Sequence, residues 1–580
     1  MRFTMFSLYY TIQDVKFKMR ILKGFMHFLI DEAARGTILL NLPSLIKYKK
    51  VARDMSWAEL LEEKKYKHPN HEFLYFEDKV YTLQQMDEKI NRFANYLLSI
   101  GGKPGKGLAI MLENSPEFLD AFIATQKIGM YSVPINISLR GDSLVYILNH
   151  SDAEYLIIEE HLLPFFEKVK DSIETIHHVI VKSDTLTNYV IPPFHTHVLK
   201  NIYSAPSKRP DIHFDDNNIC FILYTSGTTG LPKGVVYRYN KSMVRLLSII
   251  AYTFYAKDEI FYTCLPLFHA NALLLTFTVA LHRCGKLVLA KKFSARRFWN
   301  DIYTYNVTTF NTIGAMIPIL MKQPVSEIEN KHKVRKVLSA ACPSDEWEKF
   351  EKRFNVTLYE GYGAVDGGGN IILNVGNAPK GSIGKPGPGI EYRIKDDNGN
   401  DVPINTPGEL VFISKGYKKS IEYYKNEKAT NDKQSGKLIH TGDLVKQDKH
   451  GYLYFIGRKA EFMRIKGENV SAYEVEQIIL KHPAVLEAAV YAVPSELAED
   501  EIMAQISLVD GFKLQEEDVI SFLQEHLPKF AIPRYIKITK EFPKTETQRI
   551  IKKELQKAGI VEGTYDSVKK QYITKAIIKH

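Results

Sequence analysis

Several features on which other protein classes depend are scarce or missing in this 580-residue chain. The longest apolar stretches, Leu246–Ala256 and Ala272–Leu281, are about half the roughly 20 residues that a membrane-spanning helix needs. No signal-peptide cleavage pattern, internal repeat or low-complexity segment is present. The cysteines have no metal-ligand spacing, which argues against a cysteine metal site and favours small core residues in a reducing, cytoplasmic compartment; they are Cys220, Cys264, Cys284 and Cys342.

The bulk composition is that of a multidomain globular protein. The length suggests roughly three to four domain-sized units, and apolar and charged residues make up 45% and 25% of the chain. The net charge is 77 − 67 = +10, which by itself fits nucleic acid, a membrane surface or anionic substrates. Because this charge is dispersed and no nucleic-acid motif accompanies it, no nucleic-acid partner is predicted.

The first 50 residues differ in kind from the rest. Nine lysines and arginines face three acidic residues there, and apolar side chains are interleaved with them between Ile21 and Ile30. A basic amphipathic helix lying on anionic lipid is one interpretation. A helix docked on the protein's own body is the other. Peripheral membrane contact and homodimer formation are both left open by the sequence.

The remaining pattern predicts an α/β protein with two domains. Helical and strand patterns alternate up to about residue 295, as in Glu88–Leu98, Gly107–Leu112 and Pro116–Ile128, which favours mostly parallel sheets. A β-rich subdomain is predicted over residues 380–456. A small α+β domain follows, with a helix opened by the capping box Ser471–Glu474, and later elements at Val485–Val493, Glu517–Glu525 and Ile536–Ile538. The predicted units are 1–50, 51–457 and 458–580, with the boundary at Gly457–Arg458.

The most informative segment is a glycine- and hydroxyl-rich loop. Residues 224–234 read Tyr-Thr-Ser-Gly-Thr-Thr-Gly-Leu-Pro-Lys-Gly and follow the apolar run Ile219–Leu223. Glycines free backbone amides to approach an anion, hydroxyls donate further hydrogen bonds, and Lys233 adds charge. The segment lacks the Gly-Lys-Ser/Thr triplet of a Walker A loop. The alternative is a polar surface turn without a binding function, but this order of residues predicts a phosphate-binding loop.

The loop resembles that of the adenylate-forming enzymes, which include acyl-CoA synthetases, luciferases and peptide-synthetase adenylation domains. Further segments resemble the same family in the same order over about residues 55–556. They are Leu265–His269, Ser339–Pro343, Glu360–Gly363, Gly381–Pro386, Pro407–Leu410, Thr441–Asp443, Gly457–Arg458 and Lys466–Ser471.

The resemblance implies ATP, Mg²⁺ and coenzyme A as cofactors and a role for each matching position. The loop residues Tyr224, Thr225, Ser226, Gly227, Thr228, Thr229, Gly230 and Lys233 would hold phosphates, with Thr225 also near the metal. The nucleotide would meet Ala341, Gly361, Tyr362 and Gly363 on the adenine side and Asp443 and Arg458 on the ribose side. His269 would lie beside the carboxylate being activated. Lys466, Gly467 and Glu468 would open the small domain and complete the cofactor site.

Three positions depart from the family pattern. The metal-binding Thr-Glu is replaced by Val365-Asp366, so Asp366 is the predicted magnesium ligand on a side chain one methylene shorter. The catalytic lysine of the C-terminal motif is replaced by Arg549, which keeps the charge but is bulkier and planar; Lys552 and Lys553 are the alternatives. Ala460 stands at the hinge about which the small domain rotates in relatives, and alanine still permits rotation.

Several stretches, among them Leu139–Leu144 and Lys291–Trp299, are similar to the fatty-acid-transport and very-long-chain acyl-CoA synthetase branch. That similarity implies an ATP-dependent fatty acyl-CoA synthetase with a long- or very-long-chain fatty acid as substrate. The alternatives are a CoA ligase for a carnitine-, bile-acid- or aromatic-type carboxylate and an acyl-AMP ligase that serves a carrier protein. A third is a membrane-associated acyl-binding or fatty-acid uptake protein with weakened catalysis, suggested by Val365, Ala460 and Arg549.

Overall fold

The structure is a computed structural model. It describes residues 55–574 apart from 184, 186–188, 226–230, 242, 315, 376–377, 388–389, 415–419, 466–467, 495–499 and 546–549. The basic segment 1–50 therefore lies outside the described residues. Within the described part of the chain, no helix is long and apolar enough to span a membrane, and none of the four cysteines forms a disulfide.

Two large sheets form the body of the N-terminal α/β domain, and they are mostly parallel, as predicted. Counting only described residues, the first has nine strands in the order Lys385–Pro386, Ile371–Asn374, Thr357–Gly363, Lys336–Ala340, Thr309–Ile313, Ile260–Thr263, Lys286–Leu289, Glu72–Phe76 and Lys79–Thr82. The second has seven, in the order His195–Val198, His178–Lys182, Ala153–Glu159, Gly107–Met111, Tyr131–Pro134, Ile219–Thr225 and Lys233–Arg238. Only strands at the edges run antiparallel.

Helices cover these sheets because the apolar face of each helix packs against apolar side chains of the buried strands. Strand Gly107–Met111 is buried at every position, as expected of a parallel strand packed on both faces. One hydrophobic core gathers side chains from residue 57 to residue 429. The helices are Trp57–Lys67, Leu83–Ser99, Pro116–Lys127, Gly141–His150, Leu163–Glu167, Leu199–Ile202, Val244–Phe254, Asn271–Thr278 (a π-helix), Val279–Arg283, Ala295–Thr304, Met316–Met321, Ser344–Phe354 and Glu427–Lys433.

The β-rich subdomain predicted over residues 380–456 is an antiparallel sheet. In the described residues its strands are Glu391–Lys395, Gly408–Ile413, Gln434–Ser435, Leu438–Gln447 and Leu453–Arg458. Its apolar side chains form a core of their own that includes Phe412, Ile439 and Val445. The last strand brings Arg458 opposite Asp443.

The smaller C-terminal domain has separate cores. It contains the hairpin Phe462–Ile465 and Glu468–Ser471, a sheet of Val485–Pro494, Asp500–Leu508, Tyr535–Ile538, Tyr565–Asp566 and Gln571–Tyr572, and helices Ala472–Ile479, Glu516–His526 and Lys552–Ala558. The unit boundaries, including the one at Gly457–Arg458, remain predictions.

The predicted helices and strands are of the correct type, and the errors concern the residues at which helices begin and end. The helix predicted from Glu88 begins at Leu83, where Thr82 and Gln85 form a capping box. The helix predicted to reach His482 ends at Ile479, although Ser471 caps its start as expected. Turn and cap geometry decides such ends, and hydrophobic periodicity alone does not report it.

A stack of histidines lies at the edge of the seven-stranded sheet. His178 Nδ1 is 3.1 Å from His197 Nε2, and the His178 ring stacks on those of His195 and Tyr155. Burial, followed by the charges of His197, His195 and His177, lowers the pKa of His178 to about 4, against an opposing effect of Glu154. The folded protein therefore resists protonation of this stack.

We expect the stability of the fold to fall as the pH falls from about 6.5 toward 4. In that window the unfolded chain binds a proton at His178 that the folded chain does not, so unfolding is favoured. His178→Gln should flatten the dependence of the melting temperature on pH between 7.5 and 4.5. The exposed His68→Gln serves as the control, and an equal slope in both variants would contradict the prediction.

Candidate active site

The two described ends of the predicted phosphate loop belong to the last two strands of the seven-stranded sheet. Thr225 ends one strand and Lys233 begins the next, and the two residues are paired across the hairpin. The Lys233 ammonium is 5.4 Å from the centre of the Tyr423 ring. The predicted residues Ser226, Gly227, Thr228, Thr229 and Gly230 lie outside the described residues, so their phosphate contacts remain a prediction.

Three residues predicted to bind the nucleotide, Tyr362, Asp443 and Arg458, lie together. The Tyr362 hydroxyl donates to Asp443 Oδ2 at 2.6 Å, and Arg458 Nε is 3.6 Å from Asp443 Oδ1. Asp443 is only 7% exposed. Burial raises its pKa, and the Tyr362 hydroxyl and the Arg458 charge oppose that rise. The arrangement presents a carboxylate that two neighbours already orient.

Backbone amides of the strand segment that carries Asp443 donate hydrogen bonds to neighbouring side chains. Gly442 has φ +76°, a conformation that favours glycine. Its amide donates to Glu409 Oε1 at 3.1 Å, and the Asp443 amide donates to Thr441 Oγ1 at 3.0 Å. These contacts fix the backbone of the strand Leu438–Gln447 at the point where it carries the Asp443 carboxylate.

A buried glutamate, to which the sequence analysis gave no role, supports the turn predicted to contact adenine. Glu360 accepts hydrogen bonds from the amides of Ala341 and Cys342. Ala341 has φ +67°, and a β-carbon on Gly314 would lie 2.7 Å from its carbonyl oxygen. Burial raises the pKa of Glu360 to about 8, against the lowering effect of the two amides. Glu360 therefore holds a turn with an unfavourable backbone conformation.

The predicted magnesium ligand already has two polar neighbours. The Tyr423 hydroxyl donates to Asp366 Oδ2 at 2.5 Å, and the Lys433 ammonium is 3.1 Å from the same oxygen. Searching only the described residues finds no group of three or more potential metal ligands. A single carboxylate fits Mg²⁺, which usually binds proteins through one or two carboxylates and takes other ligands from phosphate and water.

His269 lies two residues before Asn271, which hydrogen-bonds to the buried Asn311. Its amide donates to the Pro266 carbonyl at 3.0 Å, and its side chain is half-buried. Asn311, which is 4% exposed, donates to Asn271 Oδ1 at 2.9 Å and to Thr276 Oγ1 at 3.1 Å. Amide groups thus lie next to the segment predicted to face the acyl substrate.

The predicted catalytic cation, Arg549, lies outside the described residues. The basic residues Lys544 and Lys552, on either side of it in the sequence, are described. Lys544 pairs with Ile550 across the segment, and its ammonium is 2.7 Å from Glu487. Lys552 binds the buried Glu476 at 2.6 Å. This ion pair argues against Lys552 as a substitute for the catalytic lysine. Of the small-domain residues, Lys466 and Gly467 are not described, and Glu468 pairs through its backbone with Ile465.

Tyr423, Lys433 and Glu360 escaped the sequence analysis for different reasons. Glu360 stands within the matching segment Glu360–Gly363, so its position could have suggested it. Tyr423 and Lys433 are 57 and 67 residues from Asp366 along the chain, and no local pattern connects them to it. Only the folded chain brings them to its carboxylate.

Family models match most of the chain. Residues 61–420 match the model described as AMP-binding enzyme, and residues 474–549 match the AMP-binding enzyme C-terminal domain. A crotonobetaine/carnitine–CoA ligase of Proteus mirabilis (strain HI4320) is 32% identical over 488 residues, which cover 82% of this chain and 93% of that protein. A ligase of the same description from Escherichia coli (strain 536) is 31% identical over 491 residues, with the same coverage of both chains.

Solved structures share the fold. An anthranilate CoA ligase, AuaEII, in complex with anthranoyl-AMP superimposes with a TM-score of 0.76 at 23% identity, covering 88% of this chain and 98% of that one. A benzoate CoA ligase from Burkholderia xenovorans LB400 gives 0.74 at 22% identity, covering 86% and 99%. A fatty acyl CoA synthetase of Mycobacterium tuberculosis gives 0.64 at 23% identity, covering 86% and 97%.

Proposed function

Because the chain belongs to the family of AMP-binding enzymes, we propose that it converts a small polar carboxylate of the carnitine type into its coenzyme A thioester. Without specifying the acid, its activity is that of an AMP-forming acid–CoA ligase that uses ATP, Mg²⁺ and coenzyme A. The similarity to crotonobetaine/carnitine–CoA ligases over 82% of the chain carries the substrate part of the proposal.

The fatty-acid substrate inferred from branch similarity has weaker support. The bacterial relatives above are described as carnitine-type ligases, and the aromatic-acid ligases superimpose with higher TM-scores than the fatty acyl synthetase does. Both observations favour the carnitine- or aromatic-type alternative.

In the first step, the acid's carboxylate attacks the α-phosphorus of ATP, the bond to pyrophosphate breaks, and acyl-AMP forms. Such a reaction asks the protein for positioning and charge neutralisation. In this proposal Asp443 accepts hydrogen bonds from the ribose hydroxyls while Tyr362 and Arg458 orient its carboxylate. Ala341 borders the base, and Lys233 neutralises phosphate charge. Arg549 approaches the α-phosphate and the attacking carboxylate.

In the second step, the coenzyme A thiolate attacks the acyl carbon, the bond to AMP breaks, and the thioester forms. Lys466, Gly467 and Glu468 belong to the small domain that, in this proposal, approaches the site for this step. Asp366 would hold Mg²⁺, which would supply positive charge to the phosphates when bound.

A panel of acids tests the substrate. AMP release from ATP should require both coenzyme A and an acid, with kcat/KM at least about tenfold higher for carnitine or crotonobetaine than for oleate, since polar recognition discriminates strongly. Benzoate, acetate and a C24 acid complete the panel, and reactions without coenzyme A are the control. Preference for oleate would restore the fatty acyl synthetase interpretation. If no acid in the panel supports AMP release, a binding protein without catalysis would be favoured, and acyl-AMP accumulation despite coenzyme A would favour an acyl-AMP ligase.

A further inference from the structure

The two neighbours of Asp366 bind one and the same oxygen. Tyr423 donates to Oδ2 at 2.5 Å, and Lys433 lies 3.1 Å from Oδ2. Among the residues that the structure describes, no hydrogen bond or ion pair to the second oxygen, Oδ1, is found. The carboxylate is thus held on one side and presents its other oxygen to a ligand.

The backbone around Tyr423 fixes the position of its hydroxyl. The segment Glu422–Tyr424 joins the strand that begins at Lys233, with the Val236 amide donating to the Glu422 carbonyl at 2.9 Å and the Tyr424 amide donating to the Gly234 carbonyl at 2.7 Å. The Tyr423 ring is 5% exposed and lies beside Lys233. A hydroxyl held this firmly loses little freedom when it binds a carboxylate, so it can orient that carboxylate.

Lys433 is held in a different way. It is the last residue of the helix Glu427–Lys433, and its ammonium also donates to the Thr441 carbonyl at 3.2 Å. Its side chain is 13% exposed. Its charge lowers the pKa of Asp443, after the larger effects of Tyr362 and Arg458. The ammonium thus contacts the carboxylate predicted to bind the metal and the backbone two residues before the carboxylate predicted to bind the ribose.

We propose that Tyr423 is a positioning residue that orients Asp366 as a magnesium ligand, and that Lys433 competes with magnesium for the same carboxylate. Aspartate reaches less far than the glutamate usual at this position, so its orientation matters more. A hydrogen-bonded carboxylate keeps one oxygen directed at the metal. An ammonium on that carboxylate repels a second cation a few ångströms away. The inference rests on the proposed metal role of Asp366.

The two residues are expected to have opposite effects, which a purely structural role would not produce. Tyr423→Phe should raise the Mg²⁺ concentration for half-maximal ATP binding about tenfold, in the range seen for groups that orient metal ligands. Lys433→Met should lower that concentration, by about threefold or more, whereas Lys433→Arg, which keeps the charge, should leave it unchanged. ATP binding is measured by calorimetry on the full chain across a Mg²⁺ series, with an EDTA reference and no acid present.

Matched control variants remove the same chemical group from a neighbouring residue that does not contact Asp366. Tyr424→Phe removes the adjacent hydroxyl, which donates to Asp152 rather than Asp366, and Lys428→Met removes an exposed charge from the same helix. A Tyr423→Phe curve that coincides with that of Tyr424→Phe overturns the orienting role, and a Lys433→Met curve at or above the wild-type concentration overturns the competition. Melting temperatures identify a variant that has not folded, in which case the other variants decide. Because no acid is present, a failed substrate proposal cannot produce either result.

Discussion

Replacing Asp443 by asparagine is expected to lower kcat/KM for ATP by at least about 100-fold. The substitution keeps the size of the side chain but removes the charge that accepts the ribose hydroxyls. Hydrogen bonds to charged groups contribute about 1.5–3 kcal/mol each, and two of them correspond to roughly 10²–10⁴ in rate. Pyrophosphate exchange and AMP release measure the loss. The fold should persist, because asparagine can still accept the hydrogen bond that Tyr362 donates to this position.

Tyr362→Phe is the matched control for that prediction. It keeps the flat ring proposed to face adenine and removes only the hydroxyl that orients Asp443, so a loss of about tenfold or less is expected. If Asp443→Asn retained wild-type kcat/KM, Asp443 would have no part in ATP binding. If Tyr362→Phe were as damaging as Asp443→Asn, the role of the ring would need revision.

The second large effect is expected at Arg549. Arg549→Ala should slow acyl-AMP formation about 100- to 1,000-fold, the loss typical of removing one group that stabilises charge developing in a transition state. Thioester formation from preformed acyl-AMP should change little, because that step does not use a cation at the α-phosphate of ATP. Arg549→Lys should restore most of the rate, since lysine is usual at this position in relatives. Pyrophosphate exchange and single-turnover thioester formation separate the two steps.

Lys552→Ala distinguishes this role from that of a neighbouring cation. Lys552 is 2.6 Å from Glu476, whose carboxylate also accepts a hydrogen bond from the Val490 amide at 2.6 Å. Removing one partner of such a buried pair costs about 3 kcal/mol of stability. We therefore expect a lower melting temperature for Lys552→Ala with near-normal exchange per folded molecule. Lys553→Ala should resemble the wild type. A larger loss of exchange at residue 552 or 553 than at 549 would reverse the assignment.

Elements of the fold could be predicted where side-chain periodicity and packing agree. The run Gly107–Met111 is apolar at nearly every position because both faces of its sheet are covered, and Pro116 starts a helix whose residues are nearly all buried. Helix ends depended on caps such as Thr82 with Gln85. The order of strands in the sheets could not be predicted from the sequence, because it depends on which apolar faces meet in space. Neighbouring strands such as Glu72–Phe76 and Lys286–Leu289 are far apart in the sequence.

Some residues of the candidate site could likewise be predicted from the sequence, and others could not. Asp443, Arg458 and Tyr362 were found because each lies in a short matching segment, and the structure brings them to within hydrogen-bonding or ion-pair distance. Glu360 was passed over because its role is to hold the backbone of Ala341 and Cys342. That role depends on a turn formed between neighbouring strands, and a carboxylate in a sequence does not show which amides it will accept from.

By itself, the sequence determined the class of the protein, its phosphate-loop position and the departures at Asp366 and Arg549, because residue type and local spacing carry that chemistry. The tertiary structure alone decided what surrounds those residues. It placed Tyr423 and Lys433 on Asp366, paired Lys552 with Glu476, and brought Asn311 to Asn271. The physical reason is that orientation, burial and charge pairing arise between segments remote in sequence, and they exist only once the chain has packed.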